Sequence, residues 1–178
     1  PSLHTIDGQK YDMEILLIHS LSGSSNDNEE DSNVTTPMDN GVIISCLYQK
    51  GEHHGPTERF FNEVINELPS ESINYHKSIN VSNNWGVGML LPRKKSFYSY
   101  TGSLPYPPCT QYYTYLVMEE IGNIGETNFE MLKLNLGKNI RPIQPLNDRE
   151  VFYNNDTKTI LPATESNIDK VTDDRFLK

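Results

Sequence analysis

Pro1-Ser2-Leu3-His4-Thr5-Ile6-Asp7-Gly8-Gln9-Lys10-Tyr11-Asp12-Met13-Glu14-Ile15-Leu16-Leu17-Ile18-His19 opens the chain, and its second landmark is Tyr100-Thr101-Gly102-Ser103-Leu104-Pro105-Tyr106-Pro107-Pro108-Cys109-Thr110. Glu14 to His19 is a short apolar run bounded by polar residues, which predicts a strand. Side chains alternate along a strand, so Glu14, Leu16 and Ile18 share one face and His19 points to the other. The Pro-Pro pair before Cys109 marks the entrance to a further strand.

Outward from these two stretches, alternation dominates. Val42 to Tyr48 reads as a buried strand, Phe97 to Tyr100 as another, and Tyr112 to Met118 as an aromatic-rich third. Phe60, Phe61, Val64, Ile65 and Leu68 recur at three- and four-residue spacing, which predicts a helix over 57–68. Thr57 is its expected N-cap and Pro69 its stop. A second, weaker helix is expected over 128–136, closed by Gly137. Residues 22–40 are polar, acidic and of low complexity, and read as a loop insertion between core strands. Residues 165–178 read as a tail after a domain over 1–164. The fold class is therefore α+β and mainly β, with Pro and Gly punctuating the connections.

A chain of 178 residues is one domain's worth. Its formal charge of −9 gives no electrostatic footprint for nucleic acid, and Arg93-Lys94-Lys95 alone reads as a solvated loop. No apolar run approaches the ~20 residues that a helix needs to cross a bilayer. Cys46 falls inside an apolar strand and is expected to be an inert core thiol. Asn33, Asn80 and Asn155 begin glycosylation-type triplets that are common by chance in so Asn-rich a chain. His53 and His54 are adjacent and point apart, which argues against a metal pair.

The two landmark stretches resemble the α-class carbonic anhydrases, whose usual versions read PSEHTIDGKRYPLEMHLVH and YxGSLTTPPCT. Arg141-Pro142-Ile143-Gln144-Pro145-Leu146-Asn147-Asp148-Arg149 is similar to the family's RPxQPLNxR segment, in the same order along the chain. The resemblance touches residues 1–19, 41–69, 89–121 and 141–151. It implies a large, twisted, mostly antiparallel sheet with short peripheral helices, of which this chain carries the C-terminal two-thirds, with the family's N-terminal strands missing. In secreted members the cysteine at the place of Cys109 pairs with one near the N-terminus, so the resemblance implies a disulfide from Cys109 to an upstream cysteine. The same resemblance points to the secretory pathway, an extracellular place or membrane association.

The resemblance also implies a zinc ion on three histidines, two from an HxH strand expected before Pro1. The third ligand position is Leu16, which has no electron pair to donate. Glu14 corresponds to the carboxylate that orients that histidine. Deprived of it, Glu14 is expected to hydrogen-bond His4, since a buried unpaired carboxylate is costly. His19 matches a histidine on the far face, and His4 and His19 are only weak substitutes as ligands. The family's oxyanion gate needs a glutamate where this chain has Leu3 and a threonine where it has Pro105; the next threonine is Tyr106. Proline removes both a hydroxyl and a backbone N–H. Ile18, Ile43 and Leu104 match carbon dioxide pocket positions and Tyr115 a tryptophan, residues that would equally fill a core.

Three functional readings follow. The first is a carbonic-anhydrase-related protein with hydration lost, no cofactor, and a surface or cleft that binds protein partners or joins a larger assembly. The second is an active zinc lyase with an altered ligand set drawn from His4, Glu14 or His19. The third is a purely structural subunit. Of the tyrosines at 98, 100, 106, 112, 113 and 115, about half are expected in the core and half on the surface.

Overall fold

A computed structural model describes residues 1–20, 40–52, 55–67, 86–137, 139–155 and 160–162. The chain begins with a small antiparallel pair, β1 (Thr5–Ile6) and β2 (Gln9–Lys10). Asp7 and Gly8 join them with φ of 53° and 70°, the left-handed conformation that a tight hairpin needs and that Asp-Gly supplies.

Seven strands form the main twisted sheet: β3 (Met13–Ser20), β4 (Gly41–Lys50), β5 (Phe97–Ser103), β6 (Gln111–Met118), β7 (Gly122–Ile124), β8 (Phe152–Asn154) and β9 (Ile160–Pro162). Their order is β3-β4-β6-β5-β8-β9, with β7 beside β4. The pairings β3–β4, β5–β6, β5–β8 and β8–β9 are antiparallel, while β4–β6 and β4–β7 are parallel. The sheet is thus mixed, a feature that strand patterning could not show. A parallel neighbour requires a long crossover, and here α1 and β5 lie between β4 and β6 in sequence.

A core cluster packs on each face of the sheet, which explains the near-continuous apolar run in β4. One face carries Ile43, Leu47, Tyr98, Tyr113, Tyr115 and Val117, with Leu16 and Tyr100 packed against them. The other carries Cys46, Tyr48 and Met118 beneath the helices. In β3 the alternation is visible directly: Leu16 joins the first cluster, and Met13, Ile15 and Leu17 join the second.

Helix α1 (Pro56–Glu67) buries Phe60 and Phe61, and α2 (Glu126–Leu136) buries Asn128 and Leu132. Thr57 is not the N-cap. Pro56 already occupies the first helical position, which suits its fixed φ, and the Thr57 hydroxyl donates to the Met89 carbonyl at 2.7 Å. Helix α2 starts two residues earlier than the periodicity suggests. Glu58 of α1 braces that start, accepting from the Gly125 N–H at 3.1 Å and the Asn128 amide at 2.6 Å.

The tyrosines divide as their alternation predicts: Tyr98, Tyr113 and Tyr115 are buried, and Tyr106 and Tyr112 are exposed. The acidic stretch up to residue 39, His53, His54, Asn33, Leu68, Pro69, Asn80 and the tail lie outside the described residues. Among the described residues no helix is long and apolar enough to cross a membrane.

Candidate functional site

Strand β3 turns the Glu14 side chain inward, towards Leu3 and His4, which precede β1. That side chain is only 3% exposed, yet none of its acceptor capacity is wasted. Oε2 accepts from the backbone N–H groups of Leu3 at 2.6 Å and His4 at 2.9 Å. Oε1 accepts from His4 Nδ1 at 2.6 Å and from the Ser45 hydroxyl at 2.8 Å. Burial alone would raise the pKa of Glu14. The charge of His4 and the hydrogen bonds from His4 and Ser45 outweigh it and hold the carboxyl below its ordinary range.

The carboxylate orients its neighbour. Nδ1 of His4 lies 2.6 Å from Glu14 Oε1, and Nε2 lies 2.6 Å from the Tyr100 hydroxyl. Tyr100 stacks on Tyr115, with centroids 4.9 Å apart and planes 7° from parallel. Arg149 lies over the Tyr100 ring, its Cζ 5.0 Å from the centroid. Burial raises the pKa of both phenols, that of Tyr115 to about 12, so both remain proton donors at neutral pH. The Tyr115 hydroxyl donates to the Ser103 carbonyl at 2.7 Å.

Above this chain of polar groups lies a cleft of about 260 Å³ between the chain's opening residues, the β5 end and the 141–149 segment. Leu3, Pro105, Tyr100, Tyr115, Arg141 and Arg149 are among its walls. Leu3 and Pro105, about a hundred residues apart in sequence, therefore line the same cleft. Tyr106 does not join them; it is 47% exposed.

The other residues singled out from sequence separate. Glu14 and His4 are bonded to each other. His19 is exposed on the opposite face, with Nδ1 3.2 Å from the Leu17 carbonyl. Ile43, Leu104 and Tyr115 are core residues. Ile18 is not: although it pairs with Ile43 across the ladder, it is 36% exposed near the end of edge strand β3. Cys46 is buried and Cys109 exposed, both free. Ser45, Tyr100 and Arg149 were not singled out from sequence as members of this site. Ser45 lies opposite Leu16 in the register, two residues from Leu47, which pairs with Glu14.

The sequence model of the eukaryotic-type carbonic anhydrases matches residues 1–155. The chain belongs to that family. It is 27% identical over 165 residues to Alpha carbonic anhydrase 3 of Arabidopsis thaliana, covering 86% of this chain and 50% of that protein. The family member thus spans about half the length of this curated relative. Among solved structures, dioscorin complexed with ascorbate matches at 25% identity with a TM-score of 0.59, over 85% of this chain and 57% of that one. A carbonic anhydrase from Chlamydomonas reinhardtii in complex with acetazolamide matches with a TM-score of 0.61 at 23% identity, over 86% of this chain and 61% of the other, a likeness of fold.

The family implies zinc, and the donor set can be tested against it. Among the described residues no three His, Cys, Asp or Glu side chains converge on a point where an ion could sit. Leu16 is half-buried and packs its isobutyl group against the core, with no electron pair to offer an ion. Glu14 and His4 spend their donors and acceptors on each other and on Ser45, Tyr100 and the backbone. The described residues by themselves offer no set of three donors placed to hold a zinc ion.

Proposed function

We propose that this family member has lost carbon dioxide hydration and uses the carbonic anhydrase fold as a binding or structural protein. One observation carries the reading: Leu16 occupies the expected third ligand position, beside a Glu14 whose acceptor sites are already filled. A carboxylate in that state has no spare lone pair with which to orient a metal ligand. The apolar pair Leu3 and Pro105 in the cleft wall adds support, since neither side chain can pass or accept a proton. The structure of dioscorin complexed with ascorbate supports the idea that this fold serves small-ligand binding.

An active lyase is the second reading, favoured by the match to Alpha carbonic anhydrase 3. It would need His4 or Glu14 to abandon their present bonds, or His19 to cross to the other face of its strand. Metal analysis and a hydration assay on the full-length protein separate the two. Less than one zinc per chain and no acetazolamide-sensitive hydration are expected; stoichiometric zinc with turnover would overturn the proposal.

A further inference from the structure

The walls of the 260 Å³ cleft include Arg141 and Arg149 and no aspartate or glutamate, in a chain whose formal charge is −9. The two arginines differ in their commitments. Arg149 is a brace: Nε donates to the Leu146 carbonyl at 2.6 Å, Nη2 to the Pro145 carbonyl at 2.7 Å, and the guanidinium covers Tyr100. Arg141 makes no hydrogen bond or ion pair with another described residue, although its charge reaches Tyr115. Leu3, Pro105 and Ile143 add apolar groups to the lining of the same cleft.

We propose that this cleft binds a small organic monocarboxylate, with the carboxylate on Arg141 and a short apolar body against Leu3, Pro105 and Ile143. A guanidinium presents parallel N–H donors that match the two oxygens of a carboxylate. The positive wall disfavours cations. The apolar groups favour a carboxylate with a hydrocarbon body over inorganic phosphate or sulfate. The volume sits below the ~300–1,000 Å³ of pockets for drug-sized molecules, which limits the ligand to roughly one ring. The inference deepens the binding half of the proposed function and does not require hydration to be absent.

The test is calorimetric titration of the full chain with benzoate, and with benzamide as its neutral counterpart. One saturable benzoate site is expected, with benzamide at least about tenfold weaker because a charge-assisted pair is lost. R141Q should weaken benzoate at least about tenfold, and R141K should keep part of the affinity. Absence of saturable binding, equal affinity for benzamide, or an R141Q titration unchanged from the parent would each overturn the site. Should R141Q melt at a lower temperature than the parent, the benzoate-to-benzamide ratio on the unmodified chain decides alone. Hydration is assayed on the same preparation: turnover together with benzoate binding would sink only the loss of hydration, whereas a failed titration without turnover would sink only the carboxylate site.

Discussion

Glu14 and His4 hold each other at 2.6 Å inside the protein, and each is tied at its far end, Glu14 to Ser45 and His4 to Tyr100. The run Ser45–Glu14–His4–Tyr100 links three strands of the main sheet to the opening residues. A buried carboxylate ordinarily costs more than it returns unless its acceptors are filled. Here four donors fill them, so the group locks Leu3 and His4, just ahead of β1, onto the sheet.

Glu14→Gln replaces an acceptor oxygen by an amide that donates, facing donors from Leu3, His4 and Ser45. A loss of about 3 kcal/mol is expected, of the size seen when one partner of a buried pair is removed. Glu14→Ala should cost at least as much. Urea unfolding of the full chain measures this, and a change under about 0.5 kcal/mol, typical of surface sites, would refute the locking role.

The same group predicts an acid limb. The carboxyl of folded Glu14 lies below its ordinary value of 4.5. Its contribution is therefore complete above pH 4.5 and declines as pH falls from there through the lowered folded value, because the unfolded chain takes up the proton first. Unfolding free energy should fall in that window for the parent and fall less steeply for Glu14→Gln. Parallel curves for the two proteins would assign the acid limb to other carboxylates.

Much of the sheet could be read from the sequence because apolar alternation and burial arise from the same physics. Strands β3, β4, β5 and β6 announce themselves this way, and that Leu16 has no electron pair to donate is visible in the residue alone. The short strands β7 and β8 are too brief to show a period, and they exist because β4 and β5 offer them backbone partners. Arg149 over Tyr100 is a contact between residues 49 positions apart, which no local pattern encodes. The exposure of Ile18 was equally hidden, since hydrophobicity does not reveal that its strand lies at the sheet's edge.

Gly102 shows how tightly the ring stack is enclosed. A methyl group there would lie 2.9 Å from Tyr115 Cε2 and 3.0 Å from Tyr100 Cε2. Those rings are fixed by each other, by the bonds to His4 and Ser103, and by Arg149. Gly102→Ala should therefore cost about 1–3 kcal/mol through overpacking. It should also perturb Tyr100 and Tyr115 in near-ultraviolet circular dichroism. An unchanged midpoint and spectrum would mean that the stack yields freely.

Tyr48 offers a control on the helix-covered face. Its hydroxyl donates to the Leu90 carbonyl at 2.6 Å, and both residues are buried. Tyr48→Phe keeps the packing and leaves that carbonyl without this donor, so a loss of about 1–2 kcal/mol is expected in urea unfolding. Neutral behaviour would show that the Leu90 carbonyl finds another donor.

The two thiols separate chemically in the reduced protein. Cys46 is 2% exposed, and burial pushes its thiol up to about 11. At pH 8 only about one molecule in a thousand then carries the reactive thiolate at Cys46, and the reagent must also reach a buried sulfur. Cys109 is exposed at the strand entrance. Ellman's reagent should therefore titrate one thiol rapidly in the folded chain and the second only on unfolding. Cys109→Ser should abolish the fast phase, while Cys46→Ser should leave it. Fast labelling that survives Cys109→Ser would place Cys46 within reach of solvent and contradict its packing under α1.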